Sequence, residues 1–136
     1  MSVAITGTYK GNLNVELTHG PSGAVIKTAA PVDNNGDGSS FSPTDLVASA
    51  AAACMMTIMA IVAERDGIDL SGMRMSLEKH MSADPRRIAS VPTLIHMPAS
   101  VPEDKRAKLE KAALSCPVHK SLHPEVETPV QFVYDT

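Results

Sequence analysis

From Leu46 to Ala63 the chain runs eighteen residues without a charge, LVASAAAACMMTIMAIVA. The run is framed as a helix. Ser42 before Pro43 suits an N-cap followed by proline at the first helical position, and Asp45 favours the positive end of the helix dipole. Glu64, Arg65 and Asp66 return the chain to water, and Gly67 suits the C-cap. A helix over 43–66 is ~36 Å long at 1.5 Å per residue. That length also meets the criterion for a membrane span. The composition argues against one, because alanine dominates, Ser49 and Thr57 interrupt, and flanking Trp or Lys anchors are missing. A helix apolar on all sides must be buried on all sides. A chain of 136 residues has few elements with which to surround it. A homodimer in which two copies share one core is therefore expected, with Ala48, Ala51, Ala52 and Ala53 allowing close approach.

The flanking segments read as a mixed α+β domain spanning 1–136, with no internal repeat. Residues 3–9 (VAITGTY), 12–18 (NLNVELT) and 24–29 (AVIKTA) are β-branched-rich and roughly alternating, which predicts three N-terminal antiparallel strands. A loop, PVDNNGDGSSFSP, follows over 31–43. Beyond the helix, 72–81 alternates as a strand and 88–97 reads as its partner, with Pro92 marking an edge or a bulge. A second, amphipathic helix opens at Pro102 and Glu103, CPVHKSLH forms a short helical turn with Cys116 at its N-cap, and 128–135 closes as a strand.

Composition narrows the partners. Two Tyr, two Phe and no Trp leave no rings on which bases could stack, and a net charge of −3 lacks the footprint of a nucleic-acid binder. The N-terminus has neither a signal-peptide nor a transit-peptide pattern, so a cytoplasmic location is expected. There, two cysteines point to reactivity rather than a permanent staple.

Three constellations carry possible chemistry. Asp33, Asn35, Asp37 and Gly38 match the opening of an EF-hand loop, but Thr44 stands where the closing bidentate Glu belongs, so a solvated turn is expected. Cys116, His119 and His123 have a spacing that could ligate one metal ion, with Cys54 as a fourth ligand; paired ligand clusters are missing. Finally, Cys54 lies in the apolar helix and reads as buried, whereas Cys116 at a helix N-cap faces free amides and the positive end of the dipole, which favour thiolate. A buried nucleophile with an accessible, activated partner is the layout of a thiol peroxidase.

FSPTDLVASAAAACMM together with SCPVHKSLHPEVE resembles the OsmC/Ohr family (osmotically induced protein C and organic hydroperoxide resistance protein), over nearly the whole chain. The resemblance implies an α+β fold in an intertwined homodimer, with long central helices wrapped by sheets from both chains. It implies thiol-dependent reduction of organic hydroperoxides without metal, flavin or other cofactor. Cys54 would be the peroxidatic and Cys116 the resolving cysteine, with a dithiol such as a lipoylated protein as reductant. The family's activating arginine and glutamate are not matched. No arginine precedes Arg65, and Thr44, followed by Asp45, occupies the glutamate position. His19, Lys10 and Lys27 are candidate substitutes, with His119 a candidate pocket residue. The alternatives are a non-catalytic dimer binding a small hydrophobic ligand, and metal binding at Cys116, His119 and His123.

Overall fold

The computed structural model describes residues 1–136, which pack as two compact units, Met1–Val47 and Ala48–Thr136. In the first unit, β1 (Ile5–Gly11), β2 (Asn14–His19) and β3 (Val25–Ala29) form an antiparallel meander in that order. The predicted start of the second strand is instead the hairpin turn. Gly11 pairs with Asn14, and Asn12 and Leu13 between them both have positive φ, 55° and 61°. Two such residues make the tight turn whose twist matches the flanking strands. The loop after β3 begins with a 3-10 turn, Val32–Asn34. It packs so closely that a Cβ on Gly36 would lie 1.8 Å from the Ala30 carbonyl oxygen, so only glycine fits there.

The long helix α1 (Pro43–Arg65) starts where the local signals place it. Ser42 Oγ accepts the Asp45 N–H at 3.0 Å, and Asp45 Oδ2 accepts the Ser42 N–H at 2.9 Å. This reciprocal box satisfies two backbone donors at the helix start. Ala48, Ala51, Ala52, Met55, Met59 and Ala63 recur at helical spacing and form its buried stripe. Burial within this chain is one-sided. The most apolar eighteen-residue window has a mean hydropathy of 2.2 and is long enough to cross a membrane, yet 33% of it is buried. Val47 and Ile61 lie exposed.

In the second unit, β4 (Arg74–Leu77), β7 (Thr93–Met97) and β8 (Val130–Tyr134) form one sheet, β4 antiparallel and β8 parallel to β7. A separate hairpin pairs β5 (His80–Ala83) with β6 (Arg86–Ser90). Each of the two long strands expected from the alternation is thus broken in two. The break in the second falls at Val91–Pro92, where proline has no amide to continue a ladder. There the Pro92 carbonyl accepts the Glu78 N–H at 3.1 Å, at the corresponding break between β4 and β5. Helices α2 (Glu103–Ala113) and α3 (Pro117–Ser121) complete the unit. Met59, Ile95, Met97, Val101, Leu109 and Cys116 are its largest fully buried side chains. Burying an aliphatic or Met side chain contributes about 1.5–3 kcal/mol. At the rim, Lys108 Nζ reaches Asp66 Oδ2 at 2.7 Å and ties α2 to the end of α1.

Candidate functional site

The two cysteines meet in the second unit. Cys54, half-buried on α1, packs against the apolar core cluster to which Cys116 belongs. Both are free thiols, and Cys54 lies near enough to act on the Cys116 thiol. Cys116 is held by the local device its sequence predicts. It is the N-cap of α3, Pro117 takes the first helical position, and its Sγ accepts the His119 backbone N–H at 3.3 Å. Met55, Met59 and Met97 are buried in the same cluster, and Met56 packs against it. Flexible thioethers leave the cysteine surroundings adaptable.

The exposures of the two thiols reverse the expectation. Cys116, expected to be accessible and activated, is 0% exposed, while Cys54 is the half-exposed one. The Cys116 thiol is pushed up from its ordinary value, not down. Burial is the largest cause and outweighs the His119 and Val118 amides, which act in the opposite direction. Cys54, by accepting a hydrogen bond from the Cys116 S–H and by its charge when ionised, raises it further. Cys116 therefore keeps its proton at neutral pH.

The other candidates have their own partners. Asp45 is part of the α1 capping box, and Thr44 Oγ1 lies 3.1 Å from Ser42 Oγ. His19 Nδ1 meets Ser22 Oγ at 2.6 Å on an exposed turn, and Lys10 and Lys27 are exposed on β1 and β3. Asp37 accepts the Ser39 N–H at 3.0 Å, which is turn chemistry and holds its carboxyl below the usual range. His119 Nδ1 pairs with Thr128 Oγ1 at 3.0 Å, whereas His123 Nδ1 accepts the Glu125 N–H at 3.1 Å. No group of three or more His, Cys, Asp or Glu side chains converges to hold a metal ion. His119 and His123 are thus held by different partners, Thr128 and the Glu125 amide.

Two groups escaped the sequence reading. Thr128 gives no local signal, since only folding brings it to His119, nine residues away. Tyr134 donates to Glu110 Oε2 at 2.7 Å, with the Arg106 guanidinium 4.0 Å from its ring centroid. These three residues come from β8 and α2, and spacing alone does not pair them. A cleft of about 520 Å³ lies at the end of the β4–β7–β8 sheet beside Glu78, Pro92, Leu94 and Gln131 and contains neither cysteine.

The fold is shared with solved relatives. The sequence family described as OsmC-like protein matches residues 36–131. The chain belongs to the OsmC-like family. It is 40% identical to a candidate osmotic-stress-induced and detoxification response protein from Psychrobacter arcticus 273-4, with a TM-score of 0.90 and 94% and 93% of the two chains covered. An organic hydroperoxide resistance protein OsmC from Legionella pneumophila shares the fold at 19% identity and a TM-score of 0.72, with 98% and 97% covered. An OsmC-like protein from Mycoplasma pneumoniae does so at 14% identity and a TM-score of 0.79, with 100% and 99% covered. No curated protein matches the sequence.

Proposed function

We propose that the chain is a cytoplasmic thiol peroxidase that reduces organic hydroperoxides in oxidative-stress defence, with Cys54 as nucleophile and Cys116 as resolving thiol. The observation that carries this reading is the proximity of the two free thiols across 62 residues of sequence. Structural relatives named organic hydroperoxide resistance proteins support the substrate class. In the first step the Cys54 thiolate attacks the peroxide, the O–O bond breaks, and Cys54 sulfenic acid and an alcohol form once the leaving alkoxide takes a proton. In the second step the Cys116 sulfur displaces hydroxide from the sulfenic acid, giving the Cys54–Cys116 disulfide and water. A dithiol, such as a lipoylated protein, restores both thiols and leaves as its own disulfide. Cys116, protonated at neutral pH, offers its S–H to the Cys54 sulfur, a source of activation where the family's arginine and glutamate are unmatched.

The working unit in this reading is a homodimer. What supports it is the one-sided burial of α1, together with the apolar side chains Ile5, Tyr9, Val25 and Ile26 exposed on the N-terminal strands. Contiguous exposed apolar surface marks an interaction site. The particle should weigh twice 14.3 kDa by light scattering.

The test of the chemistry is consumption of cumene hydroperoxide and of hydrogen peroxide, with dithiothreitol as reductant and Cys54→Ser as control. Turnover that requires Cys54 and is faster with the organic peroxide is expected. Equal rates for Cys54→Ser and wild type would sink the mechanism and leave the apolar-ligand-binding dimer as the reading to pursue.

A further inference from the structure

The Cys54–Cys116 disulfide of the proposed cycle offers a reductant two sulfurs, and the fold gives them unequal access. Cys116 is 0% exposed and belongs to a core with Ile95, Met97, Leu109 and Ala113, none of which has exposed surface. Cys54 is half-buried, on a stretch of α1 where Ala53 and Thr57 are exposed. Thiol–disulfide exchange requires the incoming thiolate to reach the sulfur it attacks.

We infer that the reductant enters at Cys54: its thiolate attacks the Cys54 sulfur, and Cys116 is the departing thiol. Three observations carry this. First, a thiolate attacking Cys116 would have to enter a closed cluster, whereas in the proposed chemistry a peroxide already reaches Cys54. Second, Cys116 is held inward. It is the N-cap of α3, with Pro117 next in the chain, and its Sγ accepts the His119 N–H at 3.3 Å. Third, the same N–H stands ready for the departing sulfur. A hydrogen bond to a thiolate is stronger than one to a thiol, so this contact strengthens as the S–S bond breaks.

Leaving-group chemistry opposes this direction. Burial pushes the Cys116 thiol up, which makes it the slower sulfur to expel, and the His119 and Val118 amides offset only part of that effect. Access therefore decides the point of attack against the preference of the leaving group.

The inference rests on the Cys54–Cys116 disulfide of the proposed function. A thiolate of the dithiol forms a bond to the Cys54 sulfur, the Cys54–Cys116 bond breaks, and the Cys116 thiolate takes a proton from the solution as it regains its reduced state. The second thiol of the reductant, deprotonated, then attacks the reductant's own sulfur in the mixed disulfide. Cys54 leaves as thiolate and the reductant as its internal disulfide. Two electrons pass from the dithiol to the protein.

The test uses the full-length protein oxidised with diamide, freed of excess oxidant and mixed with glutathione, a monothiol that cannot close on itself. Samples taken over the first seconds are unfolded in guanidinium containing N-ethylmaleimide, and the cysteine peptides are read by mass spectrometry. The earliest mixed disulfide should carry glutathione on Cys54 and N-ethylmaleimide on Cys116. Glutathione on Cys116, or divided equally between the two, overturns the inference and leaves the disulfide chemistry standing. A disulfide that glutathione opens in guanidinium but not in the folded protein overturns it as well, because neither sulfur is then an entry point. Two free thiols after diamide sink the resolving role of Cys116 itself, so failure of the underlying reading is a separate result.

Discussion

Oxidising the protein offers a stringent check on the cysteine geometry. The perturbation is a stoichiometric oxidant such as diamide, which joins Cys54 to Cys116 without reference to any peroxide. The cross-link closes a loop of 62 residues. Chain-entropy arguments give ~4 kcal/mol of stabilisation for a loop of that length, through the unfolded chain's lost freedom. That full value is reached when the native structure accepts the bond without distortion. For the expected value, the two neighbouring thiols, one at a helix N-cap and one on a long helix, must meet this condition. Guanidinium titrations of the oxidised and reduced protein at equal concentration should differ by about 2–4 kcal/mol in favour of the oxidised form. Peptide mapping should find the bond within one chain. An oxidised protein less stable than the reduced one, or a bond formed between chains, would refute the argument that the fold holds the two sulfurs ready to join.

Other expected outcomes follow from single contacts. Cys116→Ser should consume one equivalent of peroxide and then accumulate Cys54 sulfinic acid, detected by mass spectrometry. Ser42→Ala removes the acceptor of the Asp45 amide and should cost about 1 kcal/mol in chemical denaturation. Tyr134 is half-buried and donates to Glu110, so its phenol is pushed well above its ordinary value. The folded chain thus holds the proton more tightly than the unfolded one. The corresponding stability is fully present below about pH 10 and is lost as the pH climbs from there, a slope that Tyr134→Phe should remove in alkaline unfolding curves. Asp66 has the opposite sign: its carboxyl lies below the usual range because Lys108 holds it, so its contribution is present above the ordinary carboxylate value and fades as the pH falls. The acid limb for Lys108→Met should be shallower.

Features carried by neighbouring residues were legible before the fold. The capping box at Ser42 and Asp45, the extent of α1, the three N-terminal strands and Cys116 at the N-cap of α3 all depend on residues within a few positions of one another. Hydrogen-bonding valence and periodicity act at that range, so the letters suffice. The amphipathic second helix was readable for the same reason, with Leu109 and Ala113 buried at helical spacing.

What needed the tertiary structure was every property summed over distant segments. Alternation over 72–81 and 88–97 specified faces but not pairing, and the strands split because β4 chose β7 while β5 chose β6. Thr128 found His119 through folding alone. The cysteines make the division sharpest. That two thiols exist, one on an apolar helix and one at a cap, is written in the sequence. Which of them is exposed is not. The cap lowers the cost of a Cys116 thiolate through a few adjacent amides, whereas burial raises it through all the apolar groups that α1, α2 and the sheet gather around the sulfur. Burial is the larger effect, and no local stretch of sequence contains it.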